Sequence, residues 1–168
     1  MDENLENFFA QASNIEAKDI PLRRVPSISS DKCCRELFSS FFDLNVKVMI
    51  VFDDKERYQG ILTEYEFLVL FTPRHSDIHD TFSRAHLFTH TSAGDLANTR
   101  LPKVKDDDTV KKIAELMTKY ETSILPRIDK KGAEVKGIIM LRDIIQHVKQ
   151  IWTSYDFSDS KFVESCEG

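Results

Sequence analysis

Apolar and polar positions follow helical and then extended spacing twice along the chain, in the same order. From residue 34 and again from residue 110, apolar side chains recur at i, i+3, i+4 and i+7, which predicts an amphipathic helix. A predicted strand segment follows each helix, at residues 46–52 and at residues 122–128. The pattern therefore predicts the same succession of elements in both halves.

The two halves are related by an almost constant sequence offset. The offset is 76 residues through most of the repeat and becomes 77 after the turn at residues 129–132, which contains one extra residue. The matched segments are 17–20 with 93–96, 24–28 with 100–104, and 60–63 with 137–140. A shift that occurs once, within a turn, indicates an internal repeat.

Each repeat is predicted to contain strand, helix, strand, strand and helix. Because one βαββα unit cannot bury both faces of its sheet alone, we expect a mixed α/β (α+β) fold. In it two repeats related by a pseudo-twofold axis pack their sheets together with the helices outside. The predicted segments are an N-terminal amphipathic helix at 1–16 with the stripe Leu5, Phe8, Phe9 and Ala12, a first repeat at 17–72, a histidine-containing linker at 73–92, a second repeat at 93–150, and an acidic, aromatic tail at 151–168.

Composition excludes several classes of function. The net charge of −5 argues against nucleic-acid binding through bulk charge, and no apolar run is long enough to span a membrane. Three cysteines do not form a disulfide framework, and the N-terminus lacks a signal-peptide pattern, so we expect a cytoplasmic protein. Only five glycines are present, and no catalytic arrangement of side chains emerges, so we do not expect an enzyme.

The most informative stretch is residues 137–144, where a buried strand is predicted to run into a helix. Such a junction presents free backbone N–H groups and the positive end of a helix dipole, which favour anions and hydroxyl-rich ligands. Arg142 and Asp143 lie on the first helical turn. The sequence therefore predicts a ligand site at this junction.

Residues 137–144, together with Asp108-Thr109-Val110 and the strand at 122–126, resemble a tandem pair of CBS domains, often called a Bateman module. The resemblance covers about residues 17–150. It implies a regulatory module without chemistry or a required cofactor, which binds AMP, ADP, ATP or S-adenosylmethionine between its repeats. It further implies a homodimer that signals to a protein partner of unknown identity.

The resemblance also implies roles for individual residues. Asp143 matches the carboxylate that holds the ribose hydroxyls, Arg142 is placed for phosphate, and Met140 stands where the family has Thr or Ser. In the first repeat the matching pair is Thr63 and Glu66. The adenine pocket is expected to be lined by Leu101, Lys103, Ser123, Ile124 and Leu125.

Other interpretations of these residues stay open. Thr63-x-x-Glu66 is also a capping box, and an Asp in a first helical turn is favoured by the helix dipole without any ligand. Arg24 and Arg100, which match in the repeat, are candidates for phosphate, a partner or surface salt bridges. The alternative function is a non-catalytic interaction and dimerisation module with degenerate ligand sites.

Two further clusters suggest chemistry. His75, His79, His86 and His90 have the His-x3-His spacing that holds zinc on a helix, which makes a metal-responsive module a third hypothesis. Cys33, near a helix start, is a candidate for redox chemistry, whereas Cys34 falls on the apolar face of the helix.

The helices that end the two repeats carry more apolar residues than one packing face requires. We expect this surplus to form a dimer face. Its predicted members are Phe67, Leu70, Phe71, Ile144, Ile145 and Val148.

Overall fold

A computed structural model describes residues 3–44, 46–71, 88–129 and 134–155. Its elements, in chain order, are α1 Glu3–Asn14, a 3₁₀ turn Ala17–Asp19, β1 Ser27–Ser29, α2 Cys34–Leu44, β2 Val48–Phe52, β3 Tyr58–Thr63, α3 Glu64–Phe71, α4 Ala93–Leu96, α5 Val110–Lys119, β4 Ile124–Ile128, β5 Val135–Met140 and α6 Leu141–Trp152. The mixed α/β character predicted from the sequence is confirmed. None of the helices formed by these residues is long and apolar enough to cross a membrane.

The chain divides into two compact units. Met1–Arg23 and Pro102–Gly168 form the split unit, so called because it joins two separate stretches of chain. Arg24–Leu101 forms the continuous unit. Each compact unit thus combines residues from both predicted repeats, whose boundaries remain a prediction from sequence similarity.

The continuous unit is built on a three-stranded sheet. β1 pairs in parallel with β2, and β2 pairs antiparallel with β3. The buried face of α2, formed by Cys34, Leu37 and Phe41, packs against the sheet, as its helical spacing predicts, whereas Phe38 is 38% exposed. The core residues are Cys34, Leu37, Phe41, Met49, Val51, Leu62, Phe67 and Ala93.

The split unit has a smaller sheet than the repeat predicts. β4 and β5 pair antiparallel, but the expected first strand is reduced to one parallel bridge between Val104 and Arg127. Beyond Val104 the backbone bonds elsewhere: the Lys105 N–H donates to the Asp108 carboxylate at 2.8 Å, and the Asp106 carbonyl accepts the Lys18 N–H at 3.0 Å. Among the described residues, the second repeat therefore has one strand fewer than the first.

The N-terminal helix packs within the split unit, against α6. Phe8 and Ala12 are buried there, and the Phe8 ring meets the edge of the Trp152 ring at 4.9 Å between centroids. The Tyr155 hydroxyl donates to Oε1 of Gln11 at 2.6 Å. The predicted stripe is wrong at Phe9, which is 58% exposed because α1 is covered on one side only.

The predicted dimer face includes residues that serve the interior of each unit. Phe67 and Ile144 are buried, and Val148 packs against the core that contains Phe8 and Ala12. Ile145 is exposed, as are Leu141 and Trp152 on the same helix. The side chains of Leu70 and Phe71 lie outside the described part of the structure, so homodimerisation stays a prediction.

Candidate functional site

The strand-to-helix junction of the split unit forms as the sequence predicts. β5 ends at Met140, and α6 begins at Leu141, whose N–H donates to the Ser123 carbonyl at 2.8 Å. The strand before it is covered on both faces, since the consecutive residues Gly137, Ile138 and Ile139 are all buried. Asp143 follows in the first turn of α6 and is only 4% exposed. A buried carboxylate therefore stands at the predicted site.

Arg23 neutralises this carboxylate. Its Nε donates to Oδ2 of Asp143 at 2.6 Å, and its Nη2 donates to Oδ1 at 2.6 Å. The hydrogen bonds that Arg23 donates to the Asp143 carboxylate, and then the charge of that carboxylate, raise the pKa of Arg23 above its usual value. A bidentate pair of this kind is among the strongest hydrogen-bonded arrangements of side chains. The guanidinium side is open, because the Arg23 side chain is 45% exposed.

The backbone of Arg23 is fixed against β5. Its N–H donates to the Ile138 carbonyl at 3.1 Å, and the Ile138 N–H donates to the Arg23 carbonyl at 3.0 Å. Gly137 permits this approach, because a Cβ at that position would lie 2.4 Å from the Arg23 carbonyl oxygen. Gly137 thus has a steric role that aligns Arg23 with Asp143.

The equivalent junction of the continuous unit is used differently. Oε2 of Glu66 accepts the Thr63 N–H at 2.7 Å and also bonds the Thr63 hydroxyl, while Oγ1 of Thr63 accepts the Tyr65 N–H at 3.2 Å. The capping interpretation of this pair is confirmed. In α6 the N-cap Met140 makes no side-chain cap, and Asp143, at the position that matches Glu66, bonds Arg23 through both oxygens instead of capping the helix.

The other predicted site residues differ widely in exposure. Arg142, Lys103 and Ser123 are exposed, and Met140 is half-buried. Leu101 and Ile124 are each 9% exposed, and Leu125 is fully buried. Their roles around adenine and phosphate stay predictions. The repeat-matched Arg24 and Arg100 are also exposed, and it is the unmatched Arg23 that pairs with Asp143.

Sequence reasoning missed a second buried ion pair in the split unit. Arg127 is 7% exposed, and its Nε donates to Oδ1 of Asp106 at 2.7 Å. Its Nη1 donates to the carbonyls of Ala17 at 2.8 Å and Ile20 at 3.3 Å. A single arginine inside an otherwise apolar strand was the available signal. Arg127 ties the segment before Arg23 to β4.

The metal hypothesis and the redox hypothesis for Cys33 stay predictions. His75, His79 and His86 lie outside them, and His90 contacts the Thr89 hydroxyl at 2.8 Å. No group of potential ligands within the described ranges could hold a metal ion. Cys34 is buried in the core, as predicted, and burial raises the pKa of its thiol to about 11.

We expect the two adjacent cysteines to react at very different rates with a thiol reagent. In a Cys166→Ser background, Cys33 should be modified in the folded protein and Cys34 only on unfolding, because a buried thiol with a raised pKa supplies little thiolate. Mass spectrometry of the labelled peptide distinguishes the two. Rapid labelling of Cys34 would contradict its place in the core.

Comparison with known proteins adds to this geometry. The family model for the CBS domain matches residues 93–150. No protein of the curated set matches the chain. The solved CBS domain of a CBS-domain-containing membrane protein from Sphaerobacter thermophilus has a TM-score of 0.63 at 20% identity, over 84% of this chain and 93% of that chain.

Two further solved structures with similar folds contain nucleotides. CBSX2 in complex with AMP has a TM-score of 0.61 at 19% identity, over 82% of this chain and 98% of that chain. The cytosolic domain of the Mg²⁺ channel MgtE in complex with ATP has a TM-score of 0.58 at 18% identity, over 84% of this chain and 52% of that chain. The chain therefore contains a CBS domain at residues 93–150 and has the fold of CBS-domain proteins.

Proposed function

We propose that this protein is a regulatory module that binds an adenosine-containing ligand of the AMP, ADP or ATP class and signals to a partner by a change of conformation. The observation that carries the proposal is the Asp143 carboxylate. It is 4% exposed, lies at a strand-to-helix junction and does not cap its own helix. Its counterpart Glu66 does cap its helix, so helix formation alone does not account for Asp143.

A carboxylate in this position suits the vicinal hydroxyls of a ribose. An ionised carboxylate offers about four lone-pair directions, and Arg23 uses one on each oxygen. Two hydroxyls that donate to the same group would form charge-assisted hydrogen bonds. The nucleotides named for CBSX2 and for the MgtE domain support this choice of ligand class.

Signalling follows if the ligand prefers one conformation. A ligand shifts an equilibrium only by its difference in affinity for the two states. The segment that ends at Arg23 is directly followed by Arg24, the first residue of the continuous unit. A ligand that changes the pairing of Arg23 would therefore act at a point where the chain passes from one unit to the other. No chemical step is part of this proposal.

Isothermal titration with AMP, ATP and S-adenosylmethionine tests the proposal. We expect saturable binding of one of them, weakened at least about tenfold in Asp143→Asn, because the neutral amide loses charge-assisted hydrogen bonds. Asp54→Asn, which removes an exposed carboxylate in a turn of the continuous unit, should bind as the wild type does. Equal loss in both variants would exclude a specific role for Asp143.

A second candidate function is favoured by the same geometry. Asp143 already has a partner, Met140 supplies no hydroxyl, and Glu66 is used in a helix cap. These features also suit a non-catalytic interaction or dimerisation module with degenerate sites. Absence of heat with every ligand, together with a dimer that Ile145→Glu dissociates in analytical ultracentrifugation, would favour this alternative.

A further inference from the structure

We propose that Arg23 is an internal competitor for the Asp143 carboxylate, and that it makes the site selective for phosphorylated nucleosides over neutral ones. The inference rests on the proposed function, in which Asp143 receives the ribose hydroxyls. It adds a specificity-determining residue that the sequence did not identify.

Arg23 lies between the Asp143 carboxylate and solvent. Asp143 is 4% exposed, whereas the Arg23 side chain, which bonds both carboxylate oxygens of Asp143, is 45% exposed. Arg23 is therefore the solvent-facing cover of a buried carboxylate. A ribose that approaches from solvent must share the two oxygens with the guanidinium or displace it.

The backbone of Arg23 is held in place. It makes two hydrogen bonds with Ile138 and lies against Gly137. The chain segment before it is held by Arg127, which donates to the carbonyls of Ala17 and Ile20. The side chain is the freer part, because long arginine side chains change rotamer rapidly where they are exposed. Displacement would thus swing the guanidinium aside while its Cα stays beside the site.

The charges of Arg23 and Asp143 balance each other, since one guanidinium pairs with one carboxylate. A neutral nucleoside that takes the carboxylate leaves the cation without its partner. A phosphate supplies a replacement anion, and guanidinium binds phosphate oxygens in a bidentate manner. Arg142, exposed on the same helical turn as Asp143, adds a second positive charge. The site is therefore expected to prefer AMP over adenosine.

The test is titration of the full chain with AMP and with adenosine. The wild type should bind AMP at least about tenfold more tightly than adenosine. In Arg23→Gln, adenosine should bind about tenfold more tightly than in the wild type. The ribose then no longer competes with a charged hydrogen-bond donor for Asp143, and one such hydrogen bond changes affinity by about this factor. The preference for AMP should then fall to about threefold or less. Binding of adenosine by Arg23→Gln alone would also support the proposal.

Two further variants separate competition from charge. Arg23→Lys keeps the cation without the bidentate fork, so adenosine binding should strengthen while the preference for AMP persists. Arg35→Gln removes an exposed arginine on α2, to which no binding role is assigned, and should leave the preference unchanged. Circular dichroism melting verifies that each variant is folded.

The possible failures are distinct. If the wild type binds nucleotide but Arg23→Gln keeps the wild-type ratio of AMP to adenosine affinity, the competitor proposal is overturned and the proposed function stands. If neither the wild type nor any Arg23 variant binds AMP or adenosine, the proposed function is overturned and the inference falls with it.

Discussion

Replacing Arg127 by methionine is expected to lower the free energy of unfolding of the split unit by about 3–5 kcal/mol, the usual cost of removing one partner of a buried ion pair. The substitution leaves the Asp106 carboxylate, which is 8% exposed, without its 2.7 Å donor. It also removes the donor to the Ala17 and Ile20 carbonyls. Methionine keeps much of the volume, so the loss reflects the missing ion pair and hydrogen bonds of Arg127 more than a cavity.

Chemical denaturation followed by tryptophan fluorescence measures this effect. Trp152 is the only tryptophan and belongs to the split unit, so its signal reports on the unit that contains Arg127. The double variant Arg127→Met, Asp106→Asn should recover part of the loss, because it also removes the buried charge that Arg127 balanced.

An ion pair with an exposed arginine provides the matched control, and its Asp53 carboxylate also accepts the Lys55 and Arg57 N–H groups. Arg57 pairs with Asp53 at 2.6 Å, but its side chain is 67% exposed. Arg57→Ala should therefore cost at most about 1 kcal/mol. A loss of the same size for Arg127→Met would mean that burial gives the Arg127 pair no special weight.

The parts of the fold that the sequence predicted depend on local signals. The helical spacing that begins at Cys34 and at Val110 is confirmed by α2 and α5, since periodic apolar residues bury one face whatever the partner is. The capping box at Thr63 and Glu66 is equally local, spanning four residues. Such features need no knowledge of distant segments.

The parts that could not be predicted depend on distant partners. Arg23 and Asp143 are separated by 120 residues, and the Arg127–Asp106 pair joins residues 21 apart. The repeat pointed to Arg24, because a repeat reveals only what its copies share. The residue that pairs with Asp143 is Arg23, whereas Glu66, which matches Asp143 in the other unit, caps a helix.

Burial was also misjudged where a pattern was taken alone. Phe9 fits the apolar stripe of α1 but is 58% exposed, because the surface that α1 packs against reaches only the Phe8 and Ala12 side. Similarly, the matched segment around Val104 forms one bridge and no strand, and the next carbonyl that could extend it, that of Asp106, accepts the Lys18 N–H. A hydrogen bond to such a distant segment is not visible in a hydrophobic pattern.

Gly137→Ala is expected to destabilise the split unit by about 3 kcal/mol, which combines overpacking with the loss of backbone hydrogen bonds. The new Cβ would lie 2.4 Å from the Arg23 carbonyl oxygen, a backbone atom held by the Ile138 N–H. No flexible side-chain end can yield to relieve this contact. Either β5 or the Arg23 segment must move, and both hydrogen bonds between Arg23 and Ile138 would lengthen.

Hydrogen exchange sharpens this prediction, because the Ile138 amide donates to the Arg23 carbonyl and should exchange faster in Gly137→Ala. Gly94→Ala is the matched control: its new Cβ comes no closer than 3.1 Å to Ser30, so it should cost less than about 1 kcal/mol.

In Gly137→Ala the Arg23 guanidinium also loses its alignment with Asp143, so binding of adenosine should strengthen as it does in Arg23→Gln. If Gly137→Ala is as stable as Gly94→Ala and the Ile138 amide stays protected, the backbone at Arg23 is free to shift, and the fixed position assigned to its Cα in the competitor mechanism is wrong.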